Sequence, residues 1–208
     1  MKVLKFSLGE LQANCYFLID GDKCLIIDPA DDASFILEEM QRRKFKLTTL
    51  LATHGHFDHI MAAGEIQLSI DAPFFIDKKD QFLVDRVGET AEYFLGYKPT
   101  FLPIKNIRKF PPPPRLLRTG KIIKTPGHTP GSVCYYFEKE KIVFTGDTLF
   151  AGSIGRFDFS YSRKIKLADS LISLSKLPEE TIVYPGHGEA TTIAAEKKNL
   201  GQFLNFLK

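Results

Sequence analysis

The sequence predicts a mixed α/β fold in which two β-sheets pack face to face with helices outside. Short apolar runs rich in Val, Ile, Leu, Phe and Tyr recur in both halves of the 208-residue chain, and each set is followed by helical spacing. Apolar residues make up 44% and charged residues 25%, the balance of a packed core rather than of a disordered chain. The length suits one α/β domain, so residues 1–208 are read as a single domain. Periodicity by itself supports only a mixed α/β class. The two-sheet arrangement comes from the repeated order of strands, then helices.

In the first half, Val3–Leu8, Ala13–Ile19 and Lys23–Asp28 read as strands, with Asp20-Gly21-Asp22 as the hairpin turn between the last two. Asp31–Lys44 reads as a helix with Phe35, Ile36 and Met40 inward, Leu37 on the flank, and Asp31 or Asp32 as N-cap. Leu47–Thr53 is a buried strand that runs directly into a histidine-rich turn. Helix follows from Asp58 to Ile70, then a strand over Ala72–Ile76. A helix is expected over Lys78–Gly96, with Phe82, Val87, Ala91, Phe94 and Leu95 on one side and Gly88 weakening it. Pro111-Pro112-Pro113-Pro114 must be extended, and it reads as a surface crossover because candidate ligands lie on both sides of it. In the second half, Lys121–Thr125, Ser132–Phe137, Lys141–Thr145 and Thr181–Tyr184 read as strands. Ser162–Leu177 and Ala190–Asn199 read as helices, with a short terminal helix after them.

The net charge of +3 comes from 28 basic and 25 acidic residues. The basic groups Arg42-Arg43-Lys44 and Lys197-Lys198 fall in helix-like segments and read as solvated faces, so no nucleic-acid footprint is expected. No apolar run is long enough to span a bilayer, and the N-terminus lacks a secretory signal pattern, which points to the cytoplasm. Cys15, Cys24 and Cys134 each lie in a strand-like apolar run and read as free, buried thiols.

The chemistry is concentrated in His54-X-His56-X-Asp58-His59, which follows a buried strand. Alternation directs His54 and His56 to one side, while Asp58 and His59 open a helix and face a second point nearby. Four nitrogen or oxygen ligands within six residues suit zinc, or iron and manganese. The same grammar recurs at Pro126-Gly127-His128-Thr129-Pro130-Gly131-Ser132, Gly146-Asp147-Thr148 and Pro185-Gly186-His187-Gly188, where a glycine turn presents a His or Asp at a strand end. All five histidines of the chain fall in this set, which is hard to reconcile with histidines placed at random.

Taken with Thr-Gly-Asp-Thr-Leu-Phe and Tyr-Pro-Gly-His-Gly, these motifs resemble the metallo-β-lactamase superfamily, and within it the short glyoxalase II-like hydroxyacylglutathione hydrolases. The resemblance spans nearly the whole chain, from Asn14-Cys15-Tyr16 to Tyr184–Gly188. It implies an αββα sandwich of two mixed β-sheets with helices on both outer faces. It also implies two divalent metal ions, zinc above all, with iron or manganese as alternatives. His54, His56 and His128 would hold the first metal and Asp58, His59 and His187 the second, with Asp147 bridging. Metals about 3.5–4 Å apart share a hydroxide that serves as nucleophile, and Asp58 would orient it and accept its proton. The implied substrate is a small-molecule thioester, S-lactoylglutathione or a related acyl thiol, whose thiolate leaves readily. No membrane or nucleic-acid partner is expected.

Asp28, between a strand and Pro29, suits either a partner for a ligand histidine or a turn-forming aspartate. Gly155-Arg156-Phe157-Asp158 resembles a Gly-Arg-Thr-Asp segment of glyoxalase II-like and persulfide dioxygenase-like members. Arg156 there would anchor a substrate carboxylate or, with slight preference, tie down the active-site loop. Phe82, Tyr93 and Phe94 would wall a substrate cleft or, as is commoner for such a stripe, belong to the core. Full-length glyoxalase II enzymes carry a C-terminal helical substrate domain, whereas only residues 189–208 follow Gly188. The segment from Arg115 to Lys121 is also shorter than the family's strand pair.

The alternative enzyme is a mononuclear-iron persulfide dioxygenase using the positions of His54, His128 and Asp147. A non-catalytic module ranks last, because degeneration removes ligands and all seven are present.

Overall fold

A computed structural model of the protein describes residues 1–108 and 120–208. The chain divides into two compact units, Met1–Pro112 and Pro113–Lys208. The proline run and the shortened segment that follows it, residues 111–119, lie outside the described residues.

The first unit is built on a six-stranded mixed sheet of order β1-β2-β3-β4-β5-β6. Strands β1 (Lys2–Leu8), β2 (Ala13–Asp20) and β3 (Lys23–Ile27) form an antiparallel meander. Asp20 pairs with Lys23, so Gly21-Asp22 makes the predicted tight turn. Strands β4 (Lys46–Leu51), β5 (Phe74–Phe75) and β6 (Ile107–Arg108) then add in parallel. Helix α1 (Ala33–Arg42) is capped by Asp32, whose side chain accepts from the Phe35 amide. Its Ile36 and Met40 pack with Phe17, Ile26, Leu50 and Phe74 in one apolar cluster. Tyr16, Leu18, Ile27 and Leu51, on the opposite strand faces, are buried as well. Strands covered on both faces read as continuous apolar runs, which is why β2 is legible in the sequence.

The helix expected over Asp58–Ile70 is broken into α2 (Phe57–Ile60) and α3 (Ala63–Ser69). The cause is the Ala62 amide, which donates to the Ala30 carbonyl at 2.9 Å instead of continuing the helical ladder. The helix expected over Lys78–Gly96 is likewise a 3₁₀ turn (Lys78–Asp80) followed by α4 (Gln81–Val84) and α5 (Val87–Leu95). Here the Arg86 amide turns back to the Leu83 carbonyl, a three-residue step that ends α4. Val87 and Ala91 are buried as expected, whereas Phe82, Tyr93 and Phe94 are exposed, so these three aromatics are not core.

The second unit holds a five-stranded sheet of order β13-β12-β9-β8-β7 and a two-stranded hairpin, β10-β11. The sheet strands are β7 (Gly120–Lys124), β8 (Val133–Phe137), β9 (Ile142–Gly146), β12 (Ile182–Pro185) and β13 (Thr191–Thr192). Only β9 and β12 run parallel. Helix α6 (Lys164–Leu174) and helix α7 (Ile193–Phe206) bury Leu167, Leu171, Leu174, Ile193 and Phe203 against Cys134, Val143 and Val183. The hairpin strands β10 (Leu149–Phe150) and β11 (Ser153–Ile154) are too short to show alternation and were not anticipated. Nor is the C-terminus two helices: α7 runs unbroken through Asn199 and Gly201. The Asn199 side chain donates to Glu196 at 3.2 Å rather than competing for the helix backbone.

Among the described residues no helix is long and apolar enough to cross a membrane. All three cysteines are free and buried, in β2, β3 and β8. Burial, reinforced by the Asp28 carboxylate, pushes the Cys15 thiol well above its ordinary range, and burial pushes Cys24 up to about 12. Alkylation needs the thiolate. Native protein at pH 8 will therefore resist iodoacetamide over the period in which urea-unfolded protein labels at all three thiols, as read by intact mass.

Candidate metal centre

In the first unit the candidate ligands stand at the C-terminal ends of the parallel neighbours β3 and β4. Asp28 follows β3 and Thr53 follows β4, so the two residues meet side by side. The Asp28 carboxylate accepts from the Thr53 amide at 2.6 Å, from the Thr53 hydroxyl at 2.7 Å and from His59 Nδ1 at 3.1 Å. A carboxylate only accepts, so the Thr53 proton is committed to it. Thr53 Oγ1 is then left to accept from His54 Nδ1, 3.0 Å away. Both imidazoles are thereby fixed with a proton on Nδ1, which reserves Nε2 for other contacts. This is how an outer carboxylate orients metal-ligating histidines. Asp28, His54 and His59 are each no more than 1% exposed, so solvent does not compete for these bonds. Asp28 contacts His59 and also takes a left-handed turn conformation, so both roles predicted for it are compatible with the structure.

His54 Nε2 lies 3.1 Å from His56 Nδ1. Two imidazole nitrogens at that distance repel unless a proton or a cation lies between them. Adjacent ligands of a tetrahedral ion with bonds of 2.0–2.1 Å are about 3.3 Å apart, so the pair fits a metal. Asp58, at the start of α2, places Oδ2 3.6 Å from His59 Nε2, too far for a hydrogen bond and close to ligand–ligand spacing. The turn between the first two histidines is held from below by Asp80, fully buried, which accepts from the Gly55 amide at 3.0 Å. The backbone feeding this cluster is unusual: Asp28, Ala30 and Asp32 all take left-handed conformations, with φ of 51°, 52° and 58°.

In the second unit the parallel pair β9 and β12 supplies two further candidates, Asp147 just after β9 and His187 just after β12. The Gly186 amide donates to the Gly146 carbonyl at 2.8 Å and ties the two turns together. Asp147 Oδ2 lies 3.6 Å from His128 Nε2 and 3.7 Å from His187 Nε2, so one carboxylate oxygen faces two imidazoles. His128 donates from Nδ1 to the Arg156 carbonyl at 2.8 Å, which turns Nε2 toward Asp147. Three successive carbonyls of the His128 turn are also held. Those of Pro126, Gly127 and His128 accept from the Ser170 hydroxyl, the Arg163 amide and the Ser162 hydroxyl, at 2.8, 2.8 and 2.7 Å. Gly127 has φ of 147° and sits against the Leu167 backbone where a Cβ would overlap it, so only glycine fits.

Arg156 bonds Asp158 through two nitrogens at 3.0 and 2.8 Å and lies over the Phe159 ring, 4.6 Å from its centroid. The guanidinium holds the Asp158 carboxyl below its ordinary range. Phe159 in turn meets His128 edge to face at 5.9 Å. Of the two roles predicted for Arg156, tying down the loop is the one with contacts. In the first unit Phe57, between two candidate ligands, stacks on Phe94 at 6.0 Å, and Tyr93 meets Phe94 edge to face.

Sequence reasoning missed Thr53, Asp80, Ser162 and Ser170 as supports. Thr53 stood inside the recognised motif with no role assigned. The other three act through backbone groups, and nothing in residue type or spacing marks such contacts.

Residues 8–187 match the family model of the metallo-beta-lactamase superfamily, and the chain belongs to that superfamily of metallo-hydrolases. It is 35% identical over 211 residues to the "Probable metallo-hydrolase YqgX" of Bacillus subtilis, covering 99% of this chain and 98% of that one. It is 34% identical over 218 residues to the hydroxyacylglutathione hydrolase GloC of Haemophilus influenzae, covering 99% of each. The crystal structure of TTHA1623 in a di-iron-bound form superposes with a TM-score of 0.87 at 34% identity, covering 94% of this chain and 98% of that one. The fold is accordingly the α/β metallo-β-lactamase fold.

Proposed function

We propose that the protein hydrolyses thioesters, S-lactoylglutathione or a related acyl thiol, at a two-metal centre within a single domain. His54, His56 and His128 would hold one ion and Asp58, His59 and His187 the other, with Asp147 completing the set. The observation that carries the reading is the fixing of three imidazoles through Nδ1 by Asp28, Thr53 and the Arg156 carbonyl, which directs each Nε2 to another candidate ligand. The likeness to GloC supports the substrate class, and the di-iron form of TTHA1623 supports two metals of the zinc, iron or manganese type. Three free, buried thiols are in keeping with a reducing, cytoplasmic setting.

When bound, divalent ions acidify water and polarise a carbonyl oxygen. The residues of the chain do the rest. Asp58 is partly open to solvent, with a side chain 13% exposed, and it orients the attacking water and takes its proton. His59 is held in orientation because its Nδ1 proton is engaged by Asp28. The thiolate leaves without a general acid. Phe94, exposed and stacked on the buried Phe57, offers an apolar surface for the acyl chain or thiol.

Purified protein loaded with zinc or iron is expected to hydrolyse S-D-lactoylglutathione. Asp58→Ala is expected to lower the rate by about 10²–10⁴-fold, the range for a general base, and His59→Ala should abolish it. No turnover with any metal would sink the glutathione-thioester reading. The Gly-Arg-X-Asp segment favours one second reading, a mononuclear-iron persulfide dioxygenase. One iron per chain and oxygen uptake with glutathione persulfide would establish that in its place.

A further inference from the structure

We infer that Glu196, on helix α7, is a positioning residue for the metal ligands of the second unit, an inference that rests on the two-metal reading above. Glu196 is 5% exposed, and among the described residues no lysine or arginine bonds it. Its two carboxylate oxygens are used on two different loops. Oε2 accepts from the Gly152 amide at the apex of the β10–β11 hairpin, at 3.0 Å. Oε1 accepts from the Thr191 hydroxyl at 2.7 Å, at the far end of the turn that carries His187. Asn199, one turn along α7, steadies Oε2 at 3.2 Å.

The hairpin that Glu196 grips touches every candidate ligand of this unit. It begins next to Asp147, and its Phe150 ring meets the His187 ring edge to face at 6.2 Å. It ends in Gly155, packed on the Asp147 carbonyl, and in Arg156, whose carbonyl accepts from His128. One buried carboxylate thus fixes the hairpin apex against the loop bearing His187. That sets the 3.7 Å separation of His187 from Asp147. Because Glu196 acts through the Gly152 amide and the Thr191 hydroxyl, it touches neither metal nor substrate.

Zinc affinity of the full-length chain, measured by competition with a fluorescent chelator, tests the assignment without any substrate. Its outcome is therefore independent of which thioester is cleaved. Glu196→Ala is expected to weaken zinc retention about 10–100-fold, the usual cost of losing an outer-shell partner. Glu196→Gln should stay near wild type, because an amide accepts from Gly152 and donates to Thr191. Thr191→Val, which removes one arm alone, should fall between them and decides the matter if Glu196→Ala does not fold. A merely structural anchor moves only the melting temperature of the metal-free protein. Wild-type zinc affinity in Glu196→Ala or in Thr191→Val, or a Gln variant as weak as Ala, overturns the inference.

Discussion

Gly155→Ala is expected to disable the centre from outside the ligand set. A Cβ at residue 155 would overlap the Asp147 carbonyl and lie 3.2 Å from His128 Nδ1. Neither neighbour yields easily, because Asp147 directly follows β9 and the His128 turn is held through three carbonyls. The hairpin has to move instead, by about 1 Å, and a displacement of that size at a reacting group costs about 10²-fold in rate. Overpacking adds about 1–3 kcal/mol of destabilisation. Metal content per chain and turnover of the metal-loaded protein are the measurements. An alanine variant with full metal and full rate would show that the hairpin does not set the ligand geometry.

Asp28→Ala should be the most damaging single change in the first unit. It strands three buried donors, the Thr53 amide and hydroxyl and the His59 Nδ1–H. Each lost acceptor costs about 1–3 kcal/mol. Alanine also tolerates φ of 51° less well than aspartate does. For a chain of this size each kcal/mol lowers the melting temperature by about 2–4 °C, so a drop of about 10 °C or more is expected. Metal affinity should fall about 10–100-fold as His54 and His59 lose their fixed tautomers. Asp28→Asn separates the two effects, since asparagine accepts left-handed backbone but offers a donor where Thr53 and His59 both donate. Its melting temperature should recover more than its metal affinity, as read by thermal melts in EDTA and chelator titration. Equal recovery of both would mean that Asp28 supports the fold alone.

Much of this was legible from residue order. Strands β1–β4 and β7–β9 declare themselves through short runs of Val, Leu, Ile, Phe and Tyr, buried throughout in β8 and β9. The candidate ligand turns declare themselves because His and Asp stand beside glycine at strand ends. What could not be read was set by contacts distant in sequence. The Ala62 amide leaves its helix for Ala30, and α7 survives Asn199 because Glu196 satisfies its side chain. Phe82, Tyr93 and Phe94 have helical spacing, yet spacing does not say which way a face turns once the helix breaks at Arg86. Thr53 and Asp80 act on backbone or ring nitrogens of the motif, and only the fold brings Asp80 to Gly55.

The left-handed residues Asp28, Ala30 and Asp32 carry a consequence for how this protein trades stability against activity. Non-glycine residues in that conformation cost about 1–3 kcal/mol each where the surroundings enforce it. Here the enforcement comes from the Ala62 amide on Ala30, from the Asp32 cap and from the bonds to Thr53 and His59. Folding free energy is thus withheld at the loop that orients His54 and His59. Selection for thermal stability alone would relax this loop first, and in doing so would release the histidines it holds.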